Sequence, residues 1–193
     1  MAEAAVLSNR PTLIDILWPP LTGSHKVGSR TTNLIRTVLL VLAGSVLITV
    51  SSKFKINFVP VPMTLQTFVI LSIGMAYGWR LGGLTVLLYL TEGAIGLPVF
   101  AGTPEKGIGL TYMTSTTGGY LLGFVLAVGV VGFLAQRGWY RGRVLWPMLI
   151  GNLFVYLPAL IWLSVLDFSW PAAGELFSGA VYPFIPGDLV KLI

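Results

Sequence analysis

Long apolar runs that carry few charges constrain this chain more than any other feature of its sequence. Lys and Arg number 12 and Asp and Glu 7 among 193 residues, too few charges to cover the surface of a soluble globule of this size. An ordinary soluble enzyme is therefore excluded. The runs lie at about 33–51, 64–78, 84–102, 118–135, 144–166 and 176–193.

Most of these runs approach the length of about 20 residues that a membrane-spanning helix needs. Because only helices and closed barrels satisfy the backbone inside a bilayer, they predict an all-α, multi-pass membrane protein with six transmembrane helices. The sixth run stops before a full span. The few residues of "WRLGG" between the second and third runs predict that these two helices form an antiparallel hairpin.

The chain divides into an N-terminal extension, residues 1–33, and a membrane domain, residues 34–193. The extension is broken by Pro and Gly, and "TLIDILWP" within it predicts a short amphipathic helix on the membrane surface. Two loops interrupt the membrane domain. "KFKINFVPVPMT" follows the first run, where its two prolines disfavour helix, and the residues from Gly102 to Thr117 follow the third.

Basic residues predict the orientation, because Lys and Arg are enriched on the cytoplasmic side of membrane proteins. A cytoplasmic N-terminus places three lysines outside, Lys53, Lys55 and Lys106. It places eight basic residues inside: Arg10, Lys26, Arg30, Arg36, Arg80, Arg137, Arg141 and Arg143. These residues do not form one stripe with interleaved aromatics, so nucleic acid is not predicted as a partner.

Several kinds of chemistry are excluded by residue content. Cysteine is absent, and the single His25 has no neighbouring ligand set, so neither a metal site nor a cofactor is predicted. No nucleophile and base pair can be placed, which argues against an enzyme embedded in the membrane. No Gly-rich phosphate-binding motif is present, so any ATP-driven role needs a partner.

The strongest candidates for a ligand site are Asp188 and Lys191 in "PFIPGDLVK". Ionisable groups within a membrane span are costly and are therefore functional candidates. Three residues apart, the two share one helix face, and Pro186 and Gly187 open the helix, whose free amides attract an anionic group. The alternative is a self-neutralising pair, in which Asp188 caps the helix and Lys191 extends towards water.

Three further polar residues have open interpretations. Glu92 either contacts a ligand or a neighbouring helix, or faces water near the end of the third span. Gln66 and Thr64 begin the second span and suit a polar ring system; alternatively, Thr64 caps the helix and Gln66 bonds to a neighbouring helix. Small residues at four-residue spacing, Gly119, Gly123 and Ala127, predict a close helix contact.

Three motifs in order carry a family resemblance: "VPVPMTLQTFVILSIGMAYGWRLGGLTVLLYLTEGAIGLPVFAG", "TTGGYLLGF" and "YPFIPGDLVK". With them the chain resembles the BioY family, the biotin-binding S component of energy-coupling factor transporters. The resemblance implies a six-helix bundle in the bacterial plasma membrane. It also implies that biotin binds near the outer face, and that a transmembrane coupling subunit and an ATPase pair drive its uptake.

The resemblance also implies which residues contact biotin. Asp188 and Lys191 match the family's polar pair in the last helix, and Glu92 is a further candidate. The matching motifs add Gln66, Tyr89, Phe100, Gly118, Gly119 and Tyr120. Such a site suits biotin, whose ureido ring needs donors and acceptors and whose thiophane ring needs apolar walls.

Departures from the family pattern leave one alternative function. Ser115 and Thr116 stand where the family has Gly and Pro, and the first span offers only Ala43, Gly44 and Ser45 for docking. The extension of 33 residues has no assigned role beyond a contact with the membrane surface or a partner. The alternative is an assembly subunit that keeps this fold without transport.

Overall fold

The computed structural model describes residues 11–20, 26–56, 63–139, 144–166, 168, 171 and 174–187. In these residues helices dominate, as the apolar runs predict. The elements are α1 (Leu13–Leu17), α2 (Lys26–Lys53), β1 (Lys55–Ile56), β2 (Met63–Thr64), α3 (Gln66–Ala94), α4 (Leu110–Met113), α5 (Gly118–Leu134), a π-helical turn (Ala135–Trp139), α6 (Leu145–Val165) and α7 (Leu176–Ala180).

Four helices in the described part of the chain are long and apolar enough to cross a membrane: Arg30–Lys53, Gln66–Ala94, Gly118–Trp139 and Leu145–Val165. They correspond to the first five predicted spans, because Gln66–Ala94 contains both the second and the third. Helix α2 begins at Lys26, earlier than the predicted start near residue 33. The third span was predicted to run to Gly102, but its helix ends at Ala94, where the chain turns into a loop. Helix α5 packs extensively against both α3 and α6, and α2 packs against α3. The last predicted span is described as α7, turns and a helical segment at 185–187.

The predicted hairpin is present within α3. The backbone at Gly78 has φ 75° and ψ 177°, values that a glycine adopts readily and that break the helix. The chain reverses there, because the side chains of Gln66 and Tyr89 meet at 2.9 Å, whereas a straight helix of this length would hold them more than about 30 Å apart. The predicted turn residues 79–83 are helical instead, so the reversal precedes them.

The bundle has two chemically different ends. Thr12 and Gln136 both lie next to Gly78, so the hairpin turn, α1 and the end of α5 share one end of the bundle. We call it the arginine end, because Arg36, which pairs with Asp15 of α1, and Arg80, which follows the turn, belong to it. At the other end, the amino group of Lys53 binds the carbonyl of Thr103. We call this the Lys53 end. It carries the loop at 97–109.

The predicted surface helix in the extension is α1, and it is fixed to α2. Thr12 and Asp15 form a capping box, and Asp15 pairs with the buried Arg36 at 3.0 Å. Partial burial opposes ionisation of the carboxyl, but the hydrogen bonds of Thr12 and the charge of Arg36 outweigh it and lower the pKa of Asp15. The outer side of α1 exposes Leu13, Ile16 and Leu17.

The predicted loop between the first two spans contains a short antiparallel ribbon, in which Lys55 pairs with Thr64 and Ile56 with Met63. Thr64 therefore belongs to a strand. The alternative in which Thr64 caps the helix is wrong, because the N-cap of α3 is Leu65 and no side chain caps it. The strand pairing occupies the residue that would otherwise precede the helix.

Candidate functional site

A buried polar and aromatic cluster lies at the Lys53 end, where α3 begins and ends. It consists of Gln66, Tyr89, Phe100 and Tyr112 and is called here the Gln66 cluster. The amide nitrogen of Gln66 donates a hydrogen bond to the hydroxyl of Tyr89 at 2.9 Å. That hydroxyl donates in turn to the carbonyl of Val99 at 3.3 Å. Gln66 and Tyr89 are 4% and 0% exposed, so both polar groups depend on these partners.

The aromatic part of the cluster centres on Phe100. Its ring meets the edge of Tyr89 at a centroid distance of 5.4 Å and stacks on Tyr112 at 5.0 Å. The hydroxyl of Tyr112 accepts a hydrogen bond from the backbone amide of Gly102 at 3.2 Å. Gly93 makes the room, because a Cβ atom there would lie 1.9 Å from the Phe100 ring. Tyr89 of the hairpin, Phe100 of the loop at 97–109 and Tyr112 of α4 thus pack together as one aromatic wall.

The loop that carries Phe100 is bound by the end of α2. The hydroxyl of Ser52 donates to the carbonyl of Val99 at 2.8 Å. The amino group of Lys53 lies 2.7 Å from the carbonyl of Phe100 and 3.0 Å from that of Thr103. The first span therefore fixes the position of this loop.

A second aromatic cluster consists of Tyr120, Tyr156 and Phe184, and joins α5, α6 and the last segment. The ring centroids lie 6.1 to 6.3 Å apart. The hydroxyl of Tyr120 donates to the carbonyl of Ala180 at 2.7 Å. Tyr120 thus holds the segment that leads towards Asp188 and Lys191. Those two predicted site residues lie outside the described residues.

The predicted glycines Gly118 and Gly119 serve close packing. A Cβ atom at Gly118 would lie 2.1 Å from the carbonyl of Met113, and one at Gly119 would lie 2.7 Å from the Cα of Ala159. Beside them, the indole of Trp162 donates to the carbonyl of Ser115 at 3.0 Å. The glycines bring α5 against α6, and Trp162 fixes the loop in front of α5.

Glu92 bonds to the first span. Its carboxylate accepts a hydrogen bond from the hydroxyl of Ser45, which is fully buried. This contact corresponds to the helix–helix hydrogen bond among the predicted alternatives. A contact between Glu92 and ligand stays a prediction.

The chemistry of these residues suits recognition of a small, partly polar molecule. The Gln66 side chain carries two donors and one acceptor, of which the Tyr89 bond uses one donor. Stacked aromatic rings supply apolar contact area. Within the described ranges, no three Asp, Glu or His side chains lie together in a way that could hold a metal ion.

The sequence profile of one family matches residues 24–193, from before the first span to the last residue. The chain belongs to the BioY family. The predicted resemblance is thereby confirmed over the whole membrane domain. A biotin transporter BioY of Thermotoga maritima is 35% identical over 156 residues, 80% of this chain and 89% of that protein.

Two more comparisons extend the result. A probable biotin transporter BioY of Pyrococcus horikoshii is 35% identical over 157 residues, 81% of this chain and 89% of that protein. The crystal structure of an S-component for biotin from an ECF-type ABC transporter superposes with a TM-score of 0.68 at 25% identity, covering 84% of this chain and 87% of that one. The chain therefore has the S-component fold and is a multi-pass protein of the cell membrane, a transporter subunit and not an enzyme.

The sequence analysis did not assign several residues around these clusters to the candidate site. Ser52, Lys53 and Tyr112 lie in or beside loops, where no periodic pattern marks them, and Tyr156 lies within a uniformly apolar run. The one available signal is Tyr112, an aromatic residue inside a loop rich in Gly and hydroxyl side chains. The contacts of Ser52 and Lys53 with residues near 100 depend on how α2 meets the hairpin.

Proposed function

We propose that this chain is the biotin-binding S component of an energy-coupling factor transporter in the plasma membrane. Membership of the BioY family carries the proposal, together with the likeness to an S-component for biotin. Relatives from two organisms that are 35% identical are named as biotin transporters. A transmembrane coupling subunit and an ATPase pair are the proposed partners, because the sequence carries no phosphate-binding motif of its own.

In the proposed architecture, six helices cross the membrane and the N-terminus is cytoplasmic. The arrangement of charge supports this orientation. Arg36 lies at the arginine end, as does Arg80, which follows the hairpin turn, whereas Lys53 and Lys106 belong to the Lys53 end. Enrichment of basic residues on the cytoplasmic side assigns the arginine end to the cytoplasm. The Gln66 cluster then faces the outside, from which biotin arrives.

The proposed site combines the two aromatic clusters with the polar pair of the last segment. Asp188 and Lys191 supply a carboxylate and an ammonium group, and Tyr120 anchors their segment through Ala180. The Gln66 cluster supplies an amide and a wall of aromatic rings. Biotin needs both kinds of surface, because its ureido and carboxylate groups are polar while its thiophane ring and alkyl chain are apolar.

Direct titration tests the function. The full chain is produced under biotin limitation, purified in lipid nanodiscs and titrated with biotin by calorimetry. We expect saturable binding, and co-purification from cells that contain the complete transporter recovers the coupling subunit and the ATPases. An assembly subunit without transport would bind no biotin, so wild-type protein that shows no binding would overturn the proposal.

Substitutions test the site separately. Asp188→Asn, Lys191→Ala and Gln66→Leu each remove a polar partner, and loss of a hydrogen bond to a charged group costs about 1.5–3 kcal/mol. We therefore expect affinity to fall at least about 10-fold for Asp188→Asn and Lys191→Ala. The exposed Lys106 provides a matched control, since Lys106→Ala removes a similar charge from the same side of the protein. Unchanged affinity in all three site variants would refute the site while leaving the function intact.

A further inference from the structure

Two adjacent residues at the end of the first span bind the loop that forms the aromatic wall. Ser52 and Lys53 together donate to three backbone carbonyls of the loop, those of Val99, Phe100 and Thr103. We propose that Ser52 and Lys53 are positioning residues for biotin, forming a clasp that holds the wall in place and slows dissociation of the ligand. This inference rests on the proposed function.

The ammonium group of Lys53 is directed at the loop backbone. Lys53 is an exposed residue. Its side-chain nitrogen nevertheless lies 2.7 Å from the Phe100 carbonyl, 3.0 Å from the Thr103 carbonyl and 3.2 Å from the Thr103 hydroxyl. Charge-assisted hydrogen bonds of this length are stronger than neutral ones. An exposed lysine that served only solubility would extend into water, so this geometry indicates a specific role.

Ser52 connects the clasp to the buried polar groups. The single proton of its hydroxyl is shared between the carbonyls of Thr49 at 2.7 Å and Val99 at 2.8 Å, and the hydroxyl of Tyr89 donates to the same Val99 carbonyl at 3.3 Å. Tyr89 in turn accepts from Gln66. A continuous chain of hydrogen bonds therefore runs from the first span through the loop to the predicted ligand residue Gln66. Ser52 is itself fully buried, so its bond is shielded from competition by water.

The clasp acts on the aromatic wall through the backbone of one residue. Lys53 holds the carbonyl of Phe100, whose ring lies against Tyr89 and Tyr112. Gly107 and Gly109 in the loop, and Gly96 directly before it, have positive φ, a conformation that glycine adopts readily. The loop has no helix or strand of its own, so its position depends on contacts with its neighbours. Without the clasp, we expect the loop to open more often and the Phe100 ring to leave the wall.

Two variants that remove donors, one that restores a cation and a matched control test the clasp. Lys53→Met keeps the length of the side chain and removes its donors, and Ser52→Ala removes one hydroxyl. Lys106→Met makes the same chemical change at an exposed lysine of the same loop. Each protein, in nanodiscs, is assayed for amide hydrogen exchange over residues 97–107 and for the dissociation rate of labelled biotin in a chase with unlabelled biotin.

We expect Lys53→Met to speed both exchange in the loop and biotin dissociation about 10-fold, while Lys106→Met changes neither. Lys53→Arg retains a cationic donor and should restore slow dissociation at least in part, which a defect in folding alone would not predict. Loop exchange and dissociation that both match wild type would overturn the clasp. Faster exchange with unchanged dissociation would refute its role in binding. Wild-type protein that binds no biotin would instead refute the function on which the inference rests.

Discussion

Substitution of Gly123 by alanine tests how helices α5 and α6 are held together. Gly123 faces Val155 of α6, and an added Cβ atom would lie 2.3 Å from the Val155 carbonyl oxygen and 2.8 Å from its Cα. Favourable contacts between such atoms require about 3.5 Å. Because the obstacle is backbone, no side-chain rotation relieves it, and α5 and α6 must separate locally by about 1 Å.

The expected cost follows from what holds membrane helices together. Lipid chains are as apolar as the side chains, so association depends on close van der Waals packing, and a gap of 0.5–1 Å loses about a quarter to a half of each contact energy. Overpacking of this kind costs about 1–3 kcal/mol. Alanine offsets up to about 1 kcal/mol through its higher helix propensity. With about 2 kcal/mol for the clash, the net cost is about 1–2 kcal/mol. Because 1 kcal/mol shifts Tm by about 2–4 °C in a chain of this size, we expect Gly123→Ala to lower Tm by about 2–8 °C.

A glycine six residues along the same helix provides the control. Gly129 has no atom within 4 Å of an added Cβ, so Gly129→Ala gains helix propensity without a clash, and its Tm should equal or exceed that of wild type. Thermal unfolding in nanodiscs measures both, and biotin titration of Gly123→Ala should show weaker binding because the Tyr120–Tyr156 contact crosses this interface. Equal Tm values for the two variants would refute the reasoning.

Two further substitutions probe the two ends of the bundle. Gly93→Ala displaces the Phe100 ring, which lies 1.9 Å from the added Cβ, so we expect biotin affinity to fall about 10-fold or more, while Gly83→Ala, with open space around it, leaves the titration unchanged. Asp15 has a lowered pKa when folded, so its pairing with Arg36 stabilises α1 above pH 3.8 and is lost as the pH falls further. Protection of residues 11–18 from hydrogen exchange, measured relative to the intrinsic exchange rate at each pH, should therefore fall below pH 3.8, and Asp15→Asn should lower it at neutral pH; protection in wild type that does not change with pH would contradict this.

Sequence periodicity and composition determined the membrane class and the helices. Each apolar run is recognised from the average hydrophobicity of about 20 residues, so an error of a few residues at its ends does not change the prediction of a span. Helices α2, α5 and α6 lie where the runs predict. The reversal between the second and third runs was also evident, although its position was not. Gly78 adopts the positive φ, whereas the adjacent "WRLGG" is helical. The glycines of both stretches permit a break in the helix, and packing decides that the break occurs at Gly78.

The sequence named some residues of the candidate site and missed others, and the difference between the two groups has a physical reason. Motif resemblance identified Gln66, Tyr89 and Phe100 as candidates, which the structure brings together. It also named Tyr120, which instead contacts the last segment. Ser52 and Lys53 were missed, since a hydroxyl and an amine at a helix end are ordinary surface residues until a partner is known.

The sequence by itself determined that this chain spans a membrane, how its helices follow one another and to which family it belongs, because these properties depend on local hydrophobicity and on motif order. Tertiary structure alone decided which residues meet. Lys53 and Thr103, which are joined by a hydrogen bond, are 50 positions apart in the sequence, and the hydrogen-bonded pair Ser45 and Glu92 are 47 positions apart. Such pairs form only when helices pack at a particular rotation and depth, and that arrangement depends on steric fit at glycines such as Gly119 and Gly123, summed over the whole bundle.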